Sequence, residues 1–167
     1  LSGLQSPVLV DTDRRITDAG LSKISSGLLP AGTLLLSSRA PIGYLAIAAV
    51  PTAINQGFIA LPPGGDLSPV FALCWCKENM DLIKQNANGS TFMEISKKSF
   101  RSIPVCMPDV NIRGAFDRLV GPIFNKITAN EKQRRSIADL RDTLLPRLIS
   151  GKLRLPDAEG LAEEVFA

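Results

Sequence analysis

The 167-residue sequence contains no histidine, and only 5% of its residues are aromatic. Histidine is the commonest general base and a frequent zinc ligand, so its absence removes every Ser-His or Cys-His nucleophile pair. The scarcity of aromatic side chains is unfavourable for a platform on which single-stranded bases stack. Because 45% of the residues are hydrophobic, the chain can still bury a core. These features favour a binding module over a self-sufficient enzyme.

The sequence has only three cysteines and no apolar run close to 20 residues. An odd number of cysteines in a chain of this size argues against a disulfide framework. Cys74 and Cys76 lack the further ligands of a zinc site, so we interpret them as core residues. Neither a signal peptide nor a membrane span is indicated, and we expect a cytoplasmic protein. The first residue is Leu1 instead of methionine, which predicts that the chain begins at a cut.

Charge is distributed unevenly along the chain. Residues 1–110 carry a net charge of +1, residues 111–155 carry +6, and residues 156–167 carry −4. A basic segment between a nearly neutral body and an acidic tail is typical of an element that faces phosphate or a partner protein. The alternative interpretation is a helix whose charged face is simply solvated. We take these three segments as a body, a helical region and an acidic tail.

The first 110 residues show strand and helix signals in an irregular order. Short apolar runs between Pro- and Gly-containing loops predict strands at 33–36, 44–48 and 57–61, and 103–106 reads as a last edge strand. Helix starts are predicted where Thr17, Ser68 and Ser96 can act as N-caps. Since strands and helices do not alternate regularly, the pattern predicts an α+β fold and not a doubly wound sheet.

Residues 111–155 predict a long C-terminal helix with an apolar stripe. The stripe has a polar centre at Asn130 and Arg134 and a Gly121-Pro122 pair that should kink or restart the helix. We expect this helix either to fold back on its own body or to pair with another long helix as an antiparallel coiled coil. The residues predicted to form the pairing or subunit-docking seam are Ile123, Ile127, Asn130, Ile137, Leu140 and Leu144.

No catalytic motif is present in the sequence. There is neither a G-x-G-x-x-G segment nor a Walker loop, and pairs such as Asp11 and Asp13 arise often by chance. The polar loops instead carry hydroxyl, amide and cationic groups suited to phosphates and base edges. The candidate DNA-contacting residues are Ser38, Arg39, Asn55, Gln56, Ser90, Thr91, Lys97, Lys98 and Arg101. Such loops also often satisfy their own backbone, so this chemistry alone leaves both interpretations open.

Three blocks of sequence resemble the specificity subunits of type I restriction-modification systems. Leu34–Tyr44 followed by Ala53–Phe58 is similar to the signature of their target-recognition domain. Asn88–Phe92 with the later Ile103-Pro104-Val105 resembles the next block, and Leu140–Leu153 resembles the helical spacer that follows each such domain. Full-length subunits carry two recognition domains and two spacer helices, whereas this chain has room for one of each.

The resemblance implies a non-catalytic subunit that reads one half of a split target in double-stranded DNA. It further implies docking to a DNA adenine-N6 methyltransferase subunit and to a restriction subunit. No cofactor is expected in this chain; S-adenosylmethionine, Mg and ATP are expected on the partner subunits. A chain with one recognition domain could also form a homodimer through its C-terminal helix and read a symmetric split target.

Two rival hypotheses remain at this point. One is a helical protein-interaction module whose loops never contact DNA. The other is the recognition domain of a fused restriction–methyltransferase polypeptide, with its catalytic part upstream of Leu1. In each case the sequence leaves the target bases undetermined, because no general code relates loop residues of this kind to bases.

Overall fold

A computed structural model describes residues 6–12, 14–39, 41–89, 93–158 and 160. The chain divides into two compact units, Leu1–Thr128 and Ala129–Ala167. The first unit holds a four-stranded sheet and the helices that cover it, and the α+β prediction is confirmed. The boundary at residue 110 and the acidic tail from 156 stay predictions about domain organisation.

The sheet is formed by strands β1 (Val8–Leu9), β2 (Leu34–Ser37), β3 (Leu45–Ala48) and β4 (Phe58–Leu61), in the order β1-β3-β2-β4. Strand β2 pairs antiparallel with both β3 and β4, and β1 pairs parallel with β3. Three of these strands were predicted from the sequence. The two-residue β1 was missed because its alternation is too short to register.

Both faces of the sheet are covered, which explains why its strands read as continuous apolar runs. Leu34 and Leu36 point into the larger core cluster together with Ile83 and Phe100 from the helices. Leu35 faces the opposite side and joins a smaller cluster. The other buried members of that second cluster are Leu9, Leu29, Ala46, Ala48 and Ile54.

The named helices are, in chain order, α1 (Asp18–Leu21), α2 (Pro69–Glu78), α3 (Met80–Gln85), α4 (Lys97–Arg101) and α5 (Val110–Ile149). Three predicted caps are confirmed. The hydroxyl oxygens of Thr17, Ser68 and Ser96 accept hydrogen bonds from the backbone N–H groups of residues 20, 71 and 99. Each bond satisfies a donor that the first helical turn would otherwise leave unpaired.

The predicted edge strand at 103–106 is wrong. Ile103 is buried in the core, but the chain from Pro104 to Asp109 forms no regular structure. Proline has no backbone N–H to contribute to a ladder, which limits strand pairing at this point. Ile103 therefore acts as an anchor for the segment that leads into α5.

The cysteine interpretation is only partly right. Helix α2 buries Ala72, Leu73 and Cys76, so its inner face does not include Cys74. Cys74 and Cys106 are exposed, whereas Cys76 is fully buried. Burial raises the pKa of the Cys76 thiol to about 12, because the thiolate would lose its hydration.

The part of α5 that belongs to the first unit packs against the body. The ring of Phe116 meets that of Phe71 edge-on with 5.2 Å between centroids, and Phe124 is buried in the core. Ile127 is half-buried against the same cluster, so this member of the predicted seam faces the chain's own body. Ile123, one turn earlier, is 61% exposed. The helix continues through Pro122 and does not restart there.

The remainder of α5, from Ala129 onward, lies in the second unit. Asn130 and Ile137 are exposed, and Leu140 and Leu144 are half-buried. The helix ends at Ile149, and Gly151 has a φ of 70°, as expected for a left-handed C-terminal residue. Among the described residues, no helix combines the length and apolar character needed to cross a membrane.

Candidate nucleic-acid interface

One serine links the two described stretches 37–39 and 41–44 by hydrogen bonds. The Ser37 hydroxyl donates to the Pro41 carbonyl at 2.8 Å and accepts the Tyr44 backbone N–H at 2.8 Å. The Gly43 N–H donates to the Ser37 carbonyl, and Gly43 has a φ of 112° that side-chain-bearing residues rarely adopt. This part of the signature builds the scaffold.

The backbone of Ser38 joins three segments of the chain by hydrogen bonds. Its N–H donates to the Gly57 carbonyl and its carbonyl accepts the Ile95 N–H, each at 2.9 Å. The residue is only 2% exposed, and its hydroxyl has no partner among the residues that the structure describes. A buried hydroxyl cannot reach a phosphate in this conformation, so the structure does not support its predicted role as a direct DNA contact.

Arg39 lies beside Ser38 but is accessible. Its guanidinium Nη1 is 3.9 Å from a carboxylate oxygen of Glu94, and both side chains are about two-fifths exposed. An exposed ion pair of this length contributes little free energy, so the guanidinium remains available to another anion. Glu94 also pairs through its backbone with Asn88. The predicted contacts Ser90 and Thr91 lie outside the described residues.

The neighbouring amides Asn55 and Gln56 differ in their hydrogen bonding. The Asn55 side-chain oxygen accepts the Gly57 N–H at 2.9 Å, which forms a local Asx-type turn. A bidentate contact to adenine needs both the oxygen and the nitrogen of an amide, and in Asn55 the oxygen is already engaged. Gln56 is exposed, and no hydrogen bond of its side chain is found within the described part. Gln56 is therefore better placed to contact a base.

An open depression of about 540 Å³ brings several of these groups together. Its wall holds three cationic side chains and no carboxylate, counting only residues that the structure describes. Gln56 and Lys97, both predicted from the sequence, lie in it, while Lys98 and Arg101 are exposed on α4 but do not line it. The lining residues are Arg14, Ile16, Lys23, Ile24, Ser25, Ser26, Ala53, Ile54, Asn55, Gln56 and Lys97.

Sequence reasoning missed the wall formed by residues 14–26. Arg14 and Lys23 are separated by nine positions and flank a four-residue helix, so they form no recognisable cluster along the chain. The available signal was the density of cations and hydroxyls around the Thr17 cap, including Arg14, Lys23 and Ser25. No group of three or more cysteine, aspartate or glutamate side chains suited to a metal ion occurs among the residues searched.

Fold and site together define a class: a small α+β domain whose loops present cations and amides beside a shallow depression. The family model of the type I restriction modification DNA specificity domain matches residues 6–136. This match covers more than half of the chain, and the chain belongs to that family.

Curated relatives agree with the assignment. The chain is 31% identical over 129 residues to the type I restriction enzyme MjaIX specificity subunit of Methanocaldococcus jannaschii, covering 76% of this chain and 30% of that protein. It is 25% identical over 148 residues to the HindI specificity subunit of Haemophilus influenzae, covering 87% of this chain and 32% of that protein. The chain thus spans about a third of the length of the curated relatives it matches.

Proposed function

We propose that this chain recognises a specific DNA sequence for a type I restriction-modification system and performs no chemistry itself. The observation that carries the proposal is the family match over residues 6–136, which includes the sheet, its covering helices and the loops around the depression. Sequence-specific recognition in this family supplies the function, and the loops of this chain supply suitable chemistry.

The exposed groups on these loops fit contacts with duplex DNA. Gln56 offers an amide donor and acceptor for an adenine edge, and Arg39 offers a guanidinium for guanine or phosphate. Lys97, Lys98 and Arg101 project from one short helix as candidate phosphate contacts. Specificity then comes from the amide and guanidinium groups, and the lysines contribute affinity that is independent of sequence.

The proposal extends to a split target and to partner subunits. The chain offers one recognition body and one long helix, consistent with reading one half of a two-part site. We propose that α5 docks a DNA adenine-N6 methyltransferase subunit and a restriction subunit. S-adenosylmethionine, Mg and ATP would then be bound by those partners.

Mapping of N6-methyladenine in cellular DNA tests this function. Cells would express the cognate methyltransferase subunit with this chain, without it, or with a chain that carries Gln56→Ala and Arg39→Ala together. We expect methylation at one split motif only when the unaltered chain is present, and loss or relaxation of that motif with the double variant. An identical methylation pattern with and without the chain would overturn the proposed function.

A further inference from the structure

We infer that the depression between residues 14–26 and 53–56 receives the DNA backbone, with Arg14, Lys23 and Lys97 as its phosphate contacts. This inference rests on the proposed function and adds two cations that neither the sequence motifs nor the family match singles out. It further places Gln56 and Ile16 at the base edges of the half-site.

The charge state of the depression supports an anionic ligand. Arg14, Lys23 and Lys97 are exposed and form no ion pair with any described residue. Their neighbours differ: Arg15 is paired with Asp11 at 3.0 Å, and Arg39 is near Glu94. The described lining of the depression includes no carboxylate, so these three cations repel one another, and a phosphate would relieve that repulsion.

The walls of the depression are fixed relative to each other by the backbone. Leu29 and Thr52 exchange two hydrogen bonds of 3.0 Å, one in each direction, and so join the ends of the two lining segments. Within the first wall, the N–H of Ile24 donates to the Leu21 carbonyl and that of Gly27 to the Ile24 carbonyl. Binding would therefore cost little loop ordering, which favours a preorganised site.

The remaining lining residues suit the other parts of a nucleotide. Ser25 and Ser26 are exposed hydroxyls that can donate to phosphate oxygens. Ile16 is 52% exposed although it is apolar, and such a side chain can contact a thymine methyl group. With Gln56 in the same depression, apolar and amide groups lie beside cations, the combination that base-edge and backbone contacts require together.

The phosphate assignment is tested by salt-dependent binding of the full chain to a fluorescein-labelled duplex DNA of mixed sequence. Arg14→Ala and Lys23→Ala are compared with Lys77→Ala, an exposed lysine on α2 that does not line the depression. We expect each of the first two variants to flatten the slope of log K against log salt by about 0.9, the value for one lost phosphate contact. Lys77→Ala should retain the slope of the unaltered chain.

The outcomes separate the two proposals. If the unaltered chain binds with a steep salt slope and Arg14→Ala and Lys23→Ala retain it, the depression is not the backbone site, and DNA recognition itself stands. If the unaltered chain shows no salt-dependent binding to any duplex, the proposed function fails and the inference with it. Circular dichroism of each variant checks that the fold is retained.

The base-edge assignment has its own readout. Gln56→Ala should leave the salt slope unchanged but alter the sequences enriched from a randomised duplex library, because an amide reads bases whereas a cation binds backbone. Ile16→Ala should weaken selection for thymine at one position. Enrichment of the same motif by both variants and the unaltered chain would contradict this part of the inference.

Discussion

At the scale of single residues, the signature segments separate into groups that build the turn and groups that remain free for a ligand. Hydrogen bonds to neighbouring chain segments already engage backbone or side-chain polar groups of Ser37, Ser38 and Asn55. The side chains of Gln56 and Lys97 lie in the same region and have no such hydrogen-bond partner within the described part of the chain. A residue can thus belong to a recognisable motif because the loop needs it, with no contact to DNA.

Gly43 provides a stability test of the scaffold role. Its φ of 112° is strained for alanine, and an added Cβ would lie 2.8 Å from the Met80 sulfur. We expect Gly43→Ala to lower the free energy of unfolding by about 1–3 kcal/mol, mainly through backbone strain, since the Met80 side chain can move. Urea denaturation followed by circular dichroism measures the change.

Gly65→Ala is the matched control for this substitution. Gly65 has no positive φ, and an added Cβ would meet nothing within 4 Å. We expect a change of at most about 1 kcal/mol, in the stabilising direction, because alanine restricts the unfolded chain. Equal effects of the two substitutions would show that the Gly43 conformation is not a strained, structure-determining feature.

The residue-level chemistry was only partly predictable from the sequence. Gln56 and Lys97 could be singled out because amide side chains suit base edges and cationic side chains suit phosphates. The burial of Ser38 could not, since it depends on Gly57 and Ile95, which come from distant points of the chain. Arg14 and Lys23 were missed for the same reason, because the pairing of Leu29 with Thr52, which brings their segment beside residues 53–56, joins distant points of the chain.

At the scale of elements, strands and caps were predicted well because their signals are local. Leu34–Ser37 and Phe58–Leu61 are short apolar runs between turns, and Ser68 followed by Pro69 begins α2 as expected. The strand predicted at residues 103–106 is wrong because an apolar run that contains a proline can equally well form a buried anchor. Sequence periodicity alone does not distinguish these two outcomes.

Helix α5 contains a proline well inside its span, and replacing this residue should change the stability of the protein. Pro122 lacks the N–H that would donate to the carbonyl four residues earlier, yet the helix runs on to Ile149. We expect Pro122→Ala to raise the free energy of unfolding by about 1–3 kcal/mol, because an interior proline is the least favourable helix residue. Chemical denaturation of both proteins under the same conditions gives the difference.

Proline at the start of a helix supplies the control. Pro69 occupies the first turn of α2, where the missing N–H is not needed and the fixed φ is favourable. Pro69→Ala should therefore leave stability unchanged or lower it by up to about 1 kcal/mol. A loss of stability in Pro122→Ala would instead mean that the backbone geometry fixed by this proline is required for α5 to pack through Phe116 and Phe124.

At the scale of the whole molecule, the apolar residues predicted to form a single stripe along the C-terminal helix fall into two groups, one buried against the body and one exposed. Phe116, Phe124 and Ile127 pack against the body, whereas Ile123 and Ile137 are exposed. The sequence could not separate these sets, because both repeat at helical spacing, and tertiary packing decides which positions the body covers. Helix α5 therefore packs on the body through some apolar side chains and leaves others exposed, where the sequence presented packing on the body and pairing with another helix as alternatives.

The exposed face of α5 leads to a prediction about assembly. Because apolar side chains such as Ile123 and Ile137 are exposed on this helix, we expect two copies of the chain to pair through them. Light scattering at micromolar concentration should then give twice the 17.9 kDa chain mass. A strictly monomeric mass under these conditions would contradict the homodimer and leave the DNA-recognition proposal intact.

Ile137→Glu identifies the face that pairs. Ile137 is 48% exposed within the predicted seam, and a carboxylate there would have to be desolvated in a helix pair, so we expect the mass to fall to that of one chain. Ile149 is 78% exposed and lies about 120° away around the helix at 3.6 residues per turn. Ile149→Glu should therefore keep the dimer mass. If Ile149→Glu dissociates the protein and Ile137→Glu does not, the copies pair through a different face of α5 from the one that Asn130 and Ile137 define.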